Sequence, residues 1–460
     1  MSLHSFSFLF FMAVVAGIYY VFPRRYRYIW LCAASLFFYL SNDIRYFWGL
    51  LLCTAVTYTA GRMLGREGGH KKALLFICVG IHVLVLLWLR YPLTGSVLAP
   101  LGISFYALQA MGYVIDVYRG DMEPERNFVR YTVYVAFFPT VMSGPIQRAP
   151  KLLKQIREGR EFDYNTVHSG LYLLLAGHLL KRMVANPLET MVNHAFSEYA
   201  QLPGAALLWA TVLYAVQLYC DFAGYSALAI GAARILGFDA GRNFAQPYFA
   251  VSVKDFWSRW HISLSSWLRD YIYIPLGGNR RGKCRKYVNL MITFLVSGLW
   301  HGAGLHYLVW GGIHGVYQIL GDCVPKRKHR GGVLYRIFAG VFTFVLVDFA
   351  WLFFRAQSLT QVFAILHRIV FDFGFREMTY YGSYLLGRSK WIVLLALAGI
   401  ALVFFVDILH EKKISIEDFA ARRLPLVVRW GAYIILTLGI LTVAIHEYGR
   451  NAATFIYANF

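Results

Sequence analysis

Charge is scarce in this sequence. Only 15% of its 460 residues are Asp, Glu, Lys or Arg, where soluble domains carry about 25%. Acidic residues are scarcer still, 24 against 45 Lys and Arg. That shortage, with 58% apolar residues in runs that recur from end to end, excludes a soluble globular class. Alternation of period two is absent, which excludes a membrane β-barrel. There is no internal repeat, and so no sign of the repeated halves typical of transporters. Cysteines number six and show no paired spacing. Cys32, Cys53, Cys78 and Cys220 lie in apolar stretches, and Cys284 and Cys323 lie in or beside basic loops, so neither disulfides nor a zinc site are expected. A cleavable signal peptide is not expected either. The first apolar stretch lacks a basic start and runs into "PRRYRY" without a small-residue cleavage site.

What remains is an all-α polytopic membrane protein. Candidate spans are "FSFLFFMAVVAGIYYVF", "YIWLCAASLFFYL", "FWGLLLCTAVTYTA", "ALLFICVGIHVLVLLWL", "IFAGVFTFVLVDFAWLFF", "WIVLLALAGIALVFFV" and "VVRWGAYIILTLGILTVAI". With the shorter, Gly- and Pro-interrupted middle segments, roughly 10–12 transmembrane or re-entrant helices are expected. They form a single membrane domain over 1–460 without a soluble domain. The net charge of +21 marks cytoplasmic loops. Its scatter between apolar spans argues against nucleic acid as a partner; membrane lipid is the surrounding partner. Placing the basic clusters 24–27, 62–72, 279–286, 325–330 and 411–423 inside puts both termini outside the cytoplasm, together with the charge-free loop 92–100. The region 101–190 resists this parity. The breaks "FFP" and "SGP" (137–145) predict a segment that enters and leaves on one side, viable only where protein or a water-filled cavity satisfies its backbone.

Several polar groups sit in apolar surroundings. Residues 253–273, "VKDFWSRWHISLSSWLRDYIY", predict one amphipathic helix. Its apolar stripe is Phe256, Trp260, Leu264, Leu268 and Tyr271, beside a polar column of His261, Ser265 and Arg269. His301 follows the apolar run "YVNLMITFLVSGLW". An imidazole at membrane depth is either a general base in a cavity or an interhelical hydrogen-bonding group; the residues alone leave both open. His306 and His314 read as structural, since "HGAGLH" lacks the spacing of a zinc helix. Asp221 needs a partner, for which Arg234 is a candidate. Gln109 and Asp116 read as fold or cavity-wall residues. The loop 279–286 carries five Lys and Arg. It is first a positive-inside signal. Arg280, Arg281 and Lys283 would also suit the phosphates of an acyl donor.

Four ordered blocks, "SGPIQRAP", "QLYCDFAGYSALAIG", "NFAQPYFAVSVKDFWSRWHISLSSWLRDYIYIPLGGNR" and "SGLWHGAG…HYLVWGGIHG", resemble the membrane-bound O-acyltransferase (MBOAT) family. The similarity is to its bacterial branch of alginate and peptidoglycan O-acetylation and teichoic-acid D-alanylation. It covers residues 100–320 as a core. The resemblance implies a funnel of helices with a thin centre, in a bacterial cytoplasmic membrane. It implies that His301, in the "WHG" block, is the catalytic histidine and His261 the second polar residue of the site. Residues 448–460 form an aromatic tail, and its "FIYANF" resembles a motif whose tyrosine, here Tyr457, carries the acyl group. The implied function is O-acylation, with acetyl as the expected group, of an extracytoplasmic cell-envelope polysaccharide. No cofactor is held tightly. The donor is acetyl-CoA or an acyl-phosphopantetheine carrier protein, and an extracytoplasmic SGNH-type transferase is the partner. The rivals are direct O-acylation of a lipid or small acceptor, a transporter, and a scaffold.

Overall fold

Six of the seven apolar runs lie wholly within one helix and the first overruns its helix only by Phe22, and the reason shows in their outer faces. In α1 (Phe6–Val21) the side chains of Phe8, Met12, Val15 and Tyr19 are buried at helical spacing. Phe10, Val14 and Ile18 on the opposite side are exposed although equally apolar. A helix that is apolar inside and outside is matched to lipid, not water. The computed structural model describes residues 1–66, 68–90, 102–324, 332–375 and 390–447. All regular structure among them is helical. Among the described residues four helices are long and apolar enough to cross a membrane, at Lys71–Trp88, Gly204–Ile235, Val333–Arg355 and Leu426–Val443.

The described residues pack as two units, Met1–Leu174 with Tyr225–Asn243, and Leu175–Gly224 with the chain from Phe244 onward. The first unit holds α1, α2 (Arg27–Leu40), α3 (Ile44–Leu64), α4 (Lys71–Arg90), α5 (Ile103–Arg119), α6 (Phe128–Ala136) and α7 (Ala149–Glu158). It also takes the first part of α8 (Tyr164–His178). The breaks at "FFP" and "SGP" appear as expected: α6 stops after nine residues and non-helical chain runs to α7. This chain is buried and its polar groups are satisfied by protein. Phe138 N–H donates to Ser35 Oγ at 3.3 Å. Gln147 N–H donates to Gln109 Oε1 at 3.2 Å, and Gln147 Nε2 to the Ala240 carbonyl at 3.0 Å. Gln109 is thus a fold residue; Tyr134 also donates to its carbonyl, at 2.7 Å.

The second unit begins in α8, which widens into a π-helical turn at Leu179–Ala185 before α9 (Asn186–Ser197). It continues with most of α10 (Gly204–Ile235), α11 (Val253–Arg259), α12 (Ile262–Leu268) and a second π turn, Arg269–Tyr273. Then come α13 (Gly282–His301), α14 (Leu305–Cys323), α15 (Val333–Arg355) and α16 (Leu359–Phe371). The last described helices are α17 (Lys390–Glu411), α18 (Ile416–Arg423) and α19 (Leu426–Glu447). Helices α13 and α14 pack closely along their length. A Cβ on Gly298 would lie 2.4 Å from the Tyr307 carbonyl oxygen, and one on Gly311 2.3 Å from that of Phe294. Glycine at both positions lets the two backbones touch.

One expected element is corrected. Residues 253–273 are not a single helix. The chain breaks at His261, whose φ of 42° and ψ of 52° are left-handed. The apolar stripe is still buried at Phe256, Trp260, Leu264 and Leu268, but two short helices and a π turn deliver it. Side-chain pattern fixed which residues face inward; the backbone reversal at a non-glycine residue is imposed by packing around it.

Candidate active site

His301 is the last residue of α13. Helix α13 stops there because the next residue, Gly302, turns to extended backbone. The imidazole is buried in a wall of rings. Trp300, Trp310 and Phe354 meet it edge-on, with centroids at 4.8, 5.0 and 5.0 Å. Trp310 comes from α14 and Phe354 from α15. Behind them Trp310 stacks on Trp351 at 5.9 Å, and Trp351 packs on Trp260 at 5.0 Å. These three indoles are among the largest fully buried side chains of the protein. The wall excludes bulk water from one side of the ring and fixes its orientation.

His261 enters the same neighbourhood from another element. As the residue preceding α12 it is buried, its ring edge-on to Phe222 at 4.7 Å and to Trp300 at 6.1 Å. Trp300 is therefore a neighbour of both histidines, and the left-handed turn at His261 directs the ring to it. Two imidazoles beside one indole, in an apolar wall, make a site suited to proton transfer with little competing water.

Of the other sequence candidates, His314 packs on the same Trp310 that walls His301, with ring centroids at 5.0 Å. His306 and His314 have structural partners, as expected: His306 Nδ1 lies 3.0 Å from the Phe353 carbonyl, and Trp257 Nε1 donates to His314 Nδ1 at 3.2 Å. Asp221 does not pair with Arg234. Lys181, on the first π turn, meets its carboxylate at 2.5 Å with both side chains 1% exposed, while Arg234 donates to Ser169. The π turn presents Lys181 to α10, where buried charge needs a counter-charge; sequence spacing carries no trace of that match. Arg280, Arg281 and Lys283 are exposed at the start of α13. They stand about 28 Å along the helix from His301, at 1.5 Å per residue, so they are not part of the histidine pair. Tyr457 lies outside the described residues. Among the described residues no three His, Cys, Asp or Glu side chains gather as a metal site.

Sequence reading missed Trp300, Trp310 and Phe354 as the wall around His301. Trp300 carried a local signal, standing next to that histidine; the other two had none.

The sequence model of MBOAT, the membrane-bound O-acyltransferase family, matches residues 125–326, which include both histidines. A probable alginate O-acetylase of Pseudomonas putida is 36% identical over 394 residues, covering 79% of each chain. The chain belongs to the membrane-bound O-acyltransferase family. A peptidoglycan O-acetyltransferase of Helicobacter pylori is 28% identical over 394 residues, 76% of this chain and 74% of the relative. A teichoic acid D-alanyltransferase of Bacillus subtilis is 28% identical over 273 residues, 56% and 69% respectively. This MBOAT is thus an O-acyltransferase. Its buried histidine pair lies within the matched region, whereas α15, α17 and α19 extend beyond it.

Proposed function

We propose that this MBOAT takes an acetyl group from a cytoplasmic thioester, acetyl-CoA or an acyl-phosphopantetheine carrier protein, and passes it through the membrane as an ester of Tyr457. An extracytoplasmic SGNH-type transferase then moves it to a cell-envelope polysaccharide. The observation that carries the reading is the pair His261 and His301, both buried and both edge-on to Trp300, in a chain similar over 79% of its length to a probable alginate O-acetylase.

In this reading His301 is the general base. It takes the phenolic proton of Tyr457, whose ordinary pKa is about 10. The phenolate oxygen attacks the thioester carbonyl carbon, and His261 donates to the carbonyl oxygen as that oxygen gains charge. The C–S bond then breaks. The departing thiolate takes the proton back from His301, leaving a free thiol and an acyl-tyrosine. Arg280, Arg281 and Lys283 form a landing surface for the anionic donor rather than contacts at the reacting carbon. Helix α19 ends at Glu447, and the ten residues to Tyr457 reach about 15 Å as helix and about 33 Å extended. Half of the ~30 Å hydrocarbon core lies within that range. The relay meets a physical need: a charged donor stays inside while its polymer acceptor is outside.

Tyr457→Phe tests the relay. Transfer to the polysaccharide should fall to background, with expression and thermal unfolding unchanged. Full transfer by that variant would instead assign direct acylation without a tyrosyl ester.

A further inference from the structure

The left-handed backbone at His261 is strained. For a non-glycine residue the Cβ crowds the following carbonyl oxygen there, and such a conformation persists only where its surroundings over-determine it. A second non-glycine residue of the same unit, Gln246, is also left-handed, with φ of 46°. One residue connects the two turns. The carbonyl of Arg259 accepts from Ala245 N–H at 3.0 Å, and its guanidinium donates to the Gln246 carbonyl at 3.4 Å. On the far side of the His261 turn, Ser265 Oγ donates to the Trp260 carbonyl at 3.1 Å.

Arg259 is itself held from two directions. Its Nε donates to Asp255, one turn earlier in α11, at 2.8 Å. Its Nη1 pairs with Glu411, the last residue of α17. Asp255 alone would hold the guanidinium on its own helix. Glu411 does something different, because it is 152 residues away in sequence and ties the turn to another helix. One turn before it, Asp407 accepts from Tyr219 at 3.2 Å, and the Tyr219 ring lies 6.3 Å from Trp260. Helix α17 thus holds Arg259 directly and reaches Trp260 through Tyr219, the two residues that lead into the turn, although it lies outside the family-matched residues 125–326.

We propose that Arg259 and Glu411 are positioning residues: their ion pair clamps the strained turn so that the His261 ring stays against Trp300. The proposal rests on His261 belonging to the reactive site. Releasing the clamp lets the turn relax and the imidazole swing, and a misplacement of about 1 Å at a reacting group costs up to about a hundredfold in rate.

The test is steady-state acetyl transfer from radiolabelled acetyl-CoA by the full-length chain in membrane vesicles. It compares Glu411→Gln, Arg259→Gln, Arg259→Lys and His261→Ala, each with thermal unfolding in detergent. Glu411→Gln and Arg259→Gln should lower kcat about 10- to 100-fold with KM and unfolding temperature unchanged. Arg259→Lys, which keeps the charge but not the fork, should fall between them and the unaltered chain. Unchanged kcat in both Gln variants, or losses that track a fall in unfolding temperature, would overturn the clamp. Full activity of His261→Ala would overturn the reading beneath it, and an inactive His261→Ala beside fully active clamp variants would overturn the clamp alone.

Discussion

At His301 the helix ends against three aromatic rings, and single atoms decide whether it can. The crossing of α13 and α14 leaves no room for a methyl group at Gly298, where a Cβ would lie 2.4 Å from a carbonyl oxygen. Gly298→Ala should therefore destabilise the protein by about 1–3 kcal/mol, seen as a lower unfolding temperature in detergent, and should lower transfer by shifting His301 one turn away. The two histidines were legible in the sequence because "WHG" and "WHIS" are local blocks. The residues that make them a site were not. Trp310 and Phe354 reach His301 from other helices, and Arg259 meets a carboxylate 152 residues on. No periodicity within one segment encodes such meetings.

Among elements, the π turn Leu179–Ala185 carries a fully buried charge. It delivers Lys181 to Asp221 of α10, both 1% exposed. Replacing one partner strands the other's charge. Lys181→Met should cost about 3–5 kcal/mol, and the double variant Lys181→Met with Asp221→Leu should recover most of it, as measured by thermal unfolding. If the single variant is as stable as the unaltered chain, the pair is not ionic. Helices with a uniform lipid-facing surface, such as α1 and α4, could be read directly, since apolar length alone specifies them. The stretch 253–273 could not. A non-glycine residue adopts the left-handed region there only because its neighbours hold it, and a helical pattern of buried residues survived across the break.

For the whole molecule, the reading turns on orientation. The proposed relay requires the basic start of α13 to face the cytoplasm, with His301 about 28 Å further along the helix axis. Cys284 is exposed in that basic segment. A membrane-impermeant maleimide should therefore label it in inside-out vesicles and not in intact cells; labelling from outside would reverse the direction of acyl transfer. Cys220, buried in α10, should stay unlabelled in both. The apolar runs and the ordered motif blocks made the membrane class and the family readable. The long-range ties did not show, because each is a contact between segments that share no local pattern. The most direct measurement is mass spectrometry of the peptide containing residues 455–460, taken after brief exposure of vesicles to acetyl-CoA. An acetyl ester on Tyr457 in the unaltered chain, absent in a folded His301→Ala variant, is the predicted result. An unmodified Tyr457 in a chain that is actively transferring acetyl groups, or equal acetylation without His301, would contradict the relay.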